Sequence, residues 1–174
     1  MHSTDSLFQL NALWQNAIQL ELPAALEPWL LGQGSLTAQL KKRCQDFRLE
    51  LVTEHWQTLP DFLQQQWQQP QGLKRDVVLW CDGKACVYAQ SWFPESTLEQ
   101  MEALARLGSQ PLGEYIFQHA SLERGVIEVA VLDAGLLLPV VGPQQELWAR
   151  RSIFSVQQQP LLVQEIFLPG VLEL

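Results

Sequence analysis

A single carboxylate, Glu165, lies within the otherwise largely apolar run Pro160–Pro169 near the end of the chain. Burying an unpaired carboxylate is costly unless the group is neutralised or hydrogen-bonded. In a strand of period two, Glu165 shares a face with Leu161, Val163 and Phe167. If that face is the core face, Glu165 needs a partner, and a bound ligand is one candidate. The alternative is a strand edge at which Glu165 meets solvent or a surface cation.

Two arginines on other predicted strands are candidates for the same site. Arg75 begins a strand in phase with Val77 and Leu79, so its guanidinium could point inward at the rim of the core. There it could bind a carboxylate through two parallel hydrogen bonds, whereas the alternative is a surface cation at a strand end. Arg150 is in phase with Phe154, and we expect it to be a structural or rim charge rather than a ligand contact.

Other kinds of chemistry have little support in the sequence. Neither His55 nor His119 accompanies a nucleophile motif, and there is no phosphate-binding or dinucleotide-binding glycine loop. Histidines and carboxylates do not occur at metal-ligand spacing. Cys81 and Cys86 flank a turn in poor register for pairing, and the cysteine count of 3 is odd. We therefore expect no cofactor, no metal and no disulfide framework.

Composition limits the class of protein. The 174 residues are 47% hydrophobic and 17% charged, which is typical of a globular chain, and we expect a single domain over residues 1–174. A net charge of -8 is unfavourable for binding nucleic acid or an anionic membrane surface. The start lacks a basic segment before a long apolar stretch, and no apolar run is long enough to span a bilayer. We expect a cytoplasmic protein without an integral membrane segment.

The first fifty residues are predicted to be largely helical. The predicted helices cover 23–31, 36–44, 98–107 and 112–118. Ser35 is a suitable N-cap for the second helix. The third has a capping box from Ser96 to Glu99 and Gly108 as its stop, and Pro111 suits the start of the fourth because that position needs no NH donor.

The remaining pattern predicts an antiparallel sheet. Strands are predicted at 47–56, 75–81, 84–93, 126–132, 151–156 and around Glu165. Asp82–Gly83 is the strongest hairpin signal, and residues 57–72 are interpreted as a connection. Because helices do not alternate regularly with strands, we expect an α+β domain with a roughly six-stranded antiparallel sheet.

Taken in order, these segments resemble the chorismate pyruvate-lyase family, bacterial enzymes that make 4-hydroxybenzoate for ubiquinone synthesis. No single segment is diagnostic, and the resemblance depends on their order and spacing. The matching segments are Trp29–Leu31 with Ser35–Thr37, Arg75–Leu79 with Asp82–Gly83, Pro94–Leu98, Leu107–Gly108 with Pro111–Phe117, Leu147–Ser152 and Pro160–Pro169.

The resemblance implies a substrate site. In this family an arginine on the first hairpin strand binds the ring carboxylate, a role that falls to Arg75, and a glutamate on the last strand meets the ring hydroxyl, which would be Glu165. Backbone amides of two flap helices complete the carboxylate site, at positions corresponding to Leu36 and Leu112. Free NH groups at two helix starts agree with an anion site. Gln90 stands where the family has an arginine beside the site, so the group that holds the second carboxylate of chorismate is left open.

The resemblance also implies a reaction, the cofactor-free elimination of pyruvate from chorismate in an internal site covered by two helical flaps. The ring becomes aromatic, so the protein mainly has to orient a dianion and exclude water. Glu165 either removes a proton or only hydrogen-bonds the hydroxyl. The alternative function is a non-catalytic effector-sensor domain of the same fold, as in some transcription regulators. The expected partners are chorismate and 4-hydroxybenzoate, with no nucleic acid, and the expected state is a monomer.

Overall fold

The computed structural model describes residues 12–133 and 146–174. Within these residues, eight strands form one antiparallel sheet. The strands are β1 (Gln15–Asn16), β2 (Phe47–Thr58), β3 (Gln71–Cys81), β4 (Lys84–Pro94), β5 (Glu123–Arg124), β6 (Glu128–Asp133), β7 (Glu146–Val156) and β8 (Gln159–Phe167). Their order across the sheet is β1-β6-β7-β8-β4-β3-β2, and β5 pairs with β7.

The helices of the described residues are short. They are α1 (Glu27–Leu30), α2 (Leu36–Lys41), α3 (Asp61–Trp67), α4 (Glu95–Gln100) and α5 (Leu112–Ile116), with 3-10 turns at Ala17–Gln19, Glu102–Arg106 and Pro169–Glu173. Across 12–133 and 146–174, none of the helices combines the length and the apolar character needed to span a bilayer.

The predicted α+β class and antiparallel sheet are confirmed. The six longer strands correspond to the six predicted ones, and the two additional strands, β1 and β5, have two residues each. Strand β7 starts at Glu146 rather than Arg151, and β6 covers Glu128–Asp133 rather than 126–132. A strand of two residues has no measurable period, which is why β1 and β5 could not be predicted.

The Asp82–Gly83 hairpin between β3 and β4 is confirmed. Both residues have a positive φ, 49° at Asp82 and 78° at Gly83, as a type I′ turn requires. The Asp82 carboxylate accepts hydrogen bonds from the backbone NH groups of Gln45 (3.0 Å) and Asp46 (2.8 Å). The turn is therefore also anchored to the segment that leads into β2.

The interpretation of residues 57–72 as a connection is wrong. Strand β2 continues to Thr58, α3 follows, and β3 begins at Gln71. Leu59, Leu63 and Trp67 recur every four residues and pack against the sheet near Trp92. That spacing is the helical signal that the many glutamines of this segment obscured.

The N-terminal helical prediction is correct only in part. Residues 1–11, which this prediction includes, lie outside the described part of the chain. From residue 12 onward the chain forms β1 and a 3-10 turn, because Ala17 donates its NH to the carbonyl of Ile127 (2.9 Å) and this stretch adds to the sheet. Helix α1 is limited to Glu27–Leu30, whereas α2 begins at Leu36 as predicted, with the Ser35 hydroxyl accepting the Ala38 NH (3.2 Å).

The predicted helix 98–107 is broken in two. Helix α4 starts earlier, at Glu95, and ends at Gln100, because the next residue, Met101, has a φ of -132° and a ψ of 67°, which are not helical. The proposed capping box is wrong, because the Ser96 hydroxyl lies inside α4 and accepts from Gln69 Nε2 (2.7 Å). Gly108 has a φ of +56°, in keeping with its prediction as the stop.

The central strands β3, β4, β8 and β7 have both faces covered. Arg75, Ala89 and Glu165 point to one face, which we call the cavity face. Trp29, Leu40, Leu104 and Ile116 on the N-terminal and middle helical segments pack over it. Helix α3 packs on the opposite face. Burial on both faces explains why β3, β4 and β8 are buried along most of their length, the charged residues of β3 included.

Candidate active site

A cavity lies between the cavity face and the starts of α2 and α5. Its empty volume is about 600 Å³, including the part continuous with solvent. Most of its wall is apolar. The polar and charged side chains on the wall are Thr37, Arg75, Ser91, Arg124, Arg150 and Glu165.

The four residues that the sequence singled out for substrate binding all line this cavity. Leu36 and Leu112 come from the starts of α2 and α5, Arg75 from β3 and Glu165 from β8. They lie in four separate segments of the chain, so only the folded sheet and its helical cover bring them together.

Strand register determines how the charged residues are spaced. Arg75 on β3 lies opposite Ser91 on β4, and Ala89 lies opposite Glu165 on β8. Glu165 in turn lies opposite Arg150 on β7. Since neighbouring strands are about 4.8 Å apart, Arg75 and Glu165 are separated by roughly 10 Å across the sheet. One end of the cavity is therefore cationic and the carboxylate lies further along it.

Arg75 is 2% exposed, so its predicted inward orientation is confirmed. Its Nη1 lies 3.1 Å from Glu54 Oε2, on the paired position of β2. Its Nη2 donates to the carbonyl oxygens of Gly108 (2.7 Å) and Gln110 (3.3 Å). These carbonyls belong to the segment that leads into α5, so Arg75 fixes that segment against the sheet and is itself fixed in orientation.

The starts of α2 and α5 meet over the cavity. A Cβ on Gly113 would lie 3.2 Å from the Ser35 hydroxyl, so the two helices approach closely, and Lys41 forms an ion pair with Glu114 between them. The NH groups of Leu36 and Leu112 are in the first turns, where no acceptor exists within the helix. Both amides are thus available to an anion in the cavity.

The partner of Glu165 in the structure is Arg150. Arg150 Nε lies 2.5 Å from Glu165 Oε2, and Nη1 donates to the carbonyls of Trp29 (2.7 Å) and Gly32 (2.9 Å). Arg150 is 2% exposed and lines the cavity, so the expected rim position is wrong and the structural alternative agrees with its contacts. Glu165 is 13% exposed, which excludes the solvent-facing strand edge.

Arg124 was missed by the sequence analysis. It lies on β5, opposite Phe154, with its guanidinium 4.9 Å from the centre of that ring. Its Nε donates to the Ser152 hydroxyl (3.0 Å) and its Nη1 to the carbonyl of Gly32 (2.9 Å). Burial lowers the pKa of Arg124 to about 10, aided by the charge of Arg150 and opposed by Glu165. Arg124 and Arg150 therefore form a close pair of cations.

Gln90 lies on the opposite face of the sheet and does not line the cavity. Its side-chain oxygen accepts from Trp92 Nε1 (2.9 Å) and from Gln164 Nε2 (3.2 Å). The expectation that this position stands beside the site is wrong for this chain, because strand alternation places Ala89 and Ser91 there instead.

The three thiols lie away from the polar wall of the cavity. Cys81 and Cys86 are buried and Cys44 is partly exposed, and all three are free. Burial raises the pKa values of Cys81 and Cys86. Within the described ranges, no group of histidine, cysteine and carboxylate side chains has the arrangement of a metal site.

The chemical character of the cavity follows from these positions. It has cations at both ends, a carboxylate beside those of one end and apolar walls, an arrangement that suits a small molecule with anionic groups at opposite ends. Low solvent access strengthens every charge interaction within it.

Comparison with known proteins identifies the family. The sequence model described as chorismate lyase matches residues 8–173. The chain belongs to the chorismate lyase family. A probable chorismate pyruvate-lyase from Pseudoalteromonas translucida (strain TAC 125) is 40% identical over 169 residues, which cover 92% of this chain and 94% of that protein. A chorismate pyruvate-lyase from Hamiltonella defensa is 32% identical over 162 residues, covering 90% and 85%.

Solved structures of an effector domain and of a regulator's ligand-binding domain have a similar fold. The effector domain of PhnF from Mycobacterium smegmatis superposes with a TM-score of 0.58 at 17% identity, covering 80% of this chain and 91% of that one. The ligand-binding domain of a putative GntR-family regulator from Bordetella bronchiseptica gives 0.56 at 12% identity, covering 72% and 86%. At such identities the likeness concerns the fold alone.

Proposed function

We propose that this protein is a chorismate pyruvate-lyase, which converts chorismate to 4-hydroxybenzoate and pyruvate without a cofactor. The observation that carries the proposal is the meeting of Leu36, Arg75, Leu112 and Glu165 in one cavity. The family resemblance had assigned these four residues to the substrate while they lay in distant segments. Family membership over residues 8–173 supports the same reaction.

In this proposal the ring of the substrate spans the cavity from Arg75 to Glu165. The ring carboxylate is bound by the Arg75 guanidinium and by the main-chain NH groups of Leu36 and Leu112. Their leucine side chains cover the ring. The ring hydroxyl meets Glu165, whose orientation is held by Arg150 at 2.5 Å.

The reaction needs orientation more than a large set of catalytic groups. The C3–O bond breaks with its electron pair on the enolpyruvyl oxygen, the C4–H electrons form the new ring double bond, and the methylene carbon gains a proton to give pyruvate. Aromatisation drives the step, so holding the reactive conformation and excluding water are the protein's main contributions. Glu165 has one of two roles. It accepts the C4 proton, or it hydrogen-bonds the C4 hydroxyl while the C4 hydrogen passes within the substrate to the methylene carbon.

The test is product formation from chorismate by the purified protein. We expect many turnovers per protein molecule with equal amounts of 4-hydroxybenzoate and pyruvate, the first measured by chromatography and the second by a lactate dehydrogenase assay. Glu165→Gln, prepared identically, controls for contaminating lyase. Tight binding of chorismate without release of pyruvate would overturn the proposal and indicate the effector-sensor alternative.

We also propose a setting for the reaction, based on the family resemblance. The protein acts in the cytoplasm as a monomer, with one domain over residues 1–174, at the first committed step toward ubiquinone. Light scattering after size-exclusion chromatography tests the monomer. Loss of ubiquinone after deletion of the gene, reversed by added 4-hydroxybenzoate, tests the pathway.

A further inference from the structure

The charges around the cavity do not balance. Among the described residues, Arg75 is paired with Glu54 at 3.1 Å and Arg150 with Glu165 at 2.5 Å. Arg124 has no carboxylate partner in that part of the chain. Its hydrogen bonds go to a hydroxyl and a carbonyl, both uncharged. Two arginines of the cavity, Arg124 and Arg150, therefore share one described carboxylate, Glu165, which is paired with Arg150 and acts on Arg124 only from beyond ion-pair distance.

The position of Arg124 shows which end of the cavity has this excess charge. Its Nη1 shares the Gly32 carbonyl with Arg150, so its guanidinium lies beside the Arg150–Glu165 pair. Ser152, which orients Arg124, is on β7, three strands away from Arg75 on β3, or roughly 14 Å. Arg124 is thus at the end of the cavity opposite Arg75.

The guanidinium of Arg124 is held in a fixed orientation and has a donor available to an anion. Nε and Nη1 are held by Ser152 and Gly32, while Nη2 donates no hydrogen bond within residues 12–133 and 146–174. Burial and the neighbouring charge of Arg150 lower its pKa to about 10, so it is cationic at neutral pH in surroundings that disfavour the charge. A bound anion would relieve that repulsion.

We propose that Arg124 binds the second carboxylate of chorismate, the one on the enolpyruvyl side chain. This inference rests on the proposed function. With the ring carboxylate at Arg75 and the C4 hydroxyl at Glu165, the ether at the neighbouring C3 carbon extends from the Glu165 end of the ring. Arg124 and Arg150 each have an Nη2 that donates no hydrogen bond to the described residues, but Arg150 is already paired with Glu165. Arg124 is therefore the cation at that end without an ion-pair partner among those residues.

The assignment makes Arg124 a residue that distinguishes substrate from product. 4-Hydroxybenzoate retains the ring carboxylate and the hydroxyl but lacks the enolpyruvyl carboxylate. Arg124 therefore contributes to the binding of chorismate and contributes little to the binding of 4-hydroxybenzoate, whereas Arg75 contributes to both. Elimination itself removes the contact with Arg124.

The first experiment compares substrate and product in Arg124→Gln. We expect KM for chorismate to rise roughly 10- to 100-fold, the size of a lost charge-assisted hydrogen bond, while Kd for 4-hydroxybenzoate by calorimetry changes less than about 3-fold. Arg124→Lys should recover part of the KM. Arg48→Gln removes an exposed cation outside the cavity and should change neither value. Equal rises of KM and Kd in Arg124→Gln, or an unchanged KM, would overturn the assignment.

A second experiment uses the wild-type protein and so does not depend on the folding of a variant. 3-(Carboxymethoxy)-4-hydroxybenzoate carries a carboxylate near the enolpyruvyl position, and 3-methoxy-4-hydroxybenzoate is its matched analogue without that charge. We expect the dianion to inhibit at least about 10-fold more tightly. Equal or weaker inhibition by the dianion would overturn the assignment. Turnover of chorismate by the wild type is measured separately, so failure of the inference is distinguishable from failure of the proposed function.

Discussion

Arg150 and Glu165 lie opposite each other on β7 and β8, with Arg150 Nε 2.5 Å from Glu165 Oε2. The same guanidinium donates through Nη1 to the carbonyls of Trp29 and Gly32, which flank the end of α1. One buried cation thus holds the carboxylate of the site and ties the segment before α2 to the sheet. Its role in stability should be separable from the role of Glu165 in the reaction.

Arg150→Met should lower the free energy of unfolding by about 3–5 kcal/mol, because it leaves the Glu165 carboxylate and the Trp29 carbonyl without their arginine donor in a buried place. Urea unfolding at pH 7, followed by circular dichroism, measures the change. Wild-type stability in Arg150→Met would show that the buried cation is not structural.

Glu165→Gln should give the opposite pattern and serves as the matched variant. Its amide oxygen can still accept from Arg150, so we expect a loss of no more than about 1.5 kcal/mol in stability. Turnover of chorismate should nevertheless fall by more than about 100-fold, the usual range for a lost proton-transfer group. Near-normal kinetics with this variant would contradict the role assigned to Glu165.

Arg75→Gln should weaken binding of 4-hydroxybenzoate by roughly 30- to 1,000-fold, because the ring carboxylate loses a buried charged partner. Isothermal titration calorimetry measures Kd. Glu54→Gln retains an acceptor for Arg75 at the edge of the cavity and should cost far less. Leu36→Met should also change Kd little, since its proposed contact is made by the main-chain NH. A large loss in Leu36→Met would argue that the leucine side chain, not the amide, is recognised.

Several features of the site were predictable because they depend on local rules. Strand alternation placed Arg75 and Glu165 on the cavity face, and the Asp82–Gly83 turn set the pairing of β3 with β4. Ser35 was identifiable as a cap from its residue type and position. Each of these signals acts over a few residues and agrees with the tertiary structure.

The rest of the site depends on contacts between distant parts of the chain. Arg124 is in a strand of two residues, and the carbonyl that orients it, Gly32, is 92 positions away. A ligand is one candidate partner of Glu165 from the sequence, and the structure adds Arg150, which alternation alone could place on the same face but not at hydrogen-bonding distance. The break at Met101 likewise interrupts a continuous helical pattern.

Stability should fall as the pH rises above about 9. Burial raises the pKa values of Cys81 and Cys86 above the ordinary value of 9.0, so the unfolded chain ionises its thiols first. The unfolded state then binds fewer protons, and the free energy of unfolding falls by up to about 1.4 kcal/mol per pH unit for each thiol. Urea unfolding between pH 8 and 10 measures the slope, and deprotonation of Arg124 near pH 10 opposes it equally in the wild type and in the cysteine variant, so the difference between the two slopes reports the thiol. Cys81→Ala should reduce the slope; an unchanged slope would contradict this origin.

The Lys41–Glu114 ion pair joins α2 to α5 over the cavity, and in the proposed function these two helices are the flaps that separate to admit substrate. Glu114→Gln should therefore speed dissociation of 4-hydroxybenzoate by roughly 2- to 5-fold, since a partly exposed ion pair contributes about 0.2–1 kcal/mol. If product release limits turnover, kcat rises in parallel and rapid mixing of the wild type with chorismate shows a burst of product. Arg106→Gln breaks a similar exposed pair with Glu102 away from the cavity and is the control. A linear progress curve from the first turnover would contradict slow release, and an unchanged dissociation rate in Glu114→Gln would show that this pair does not hold the cover closed.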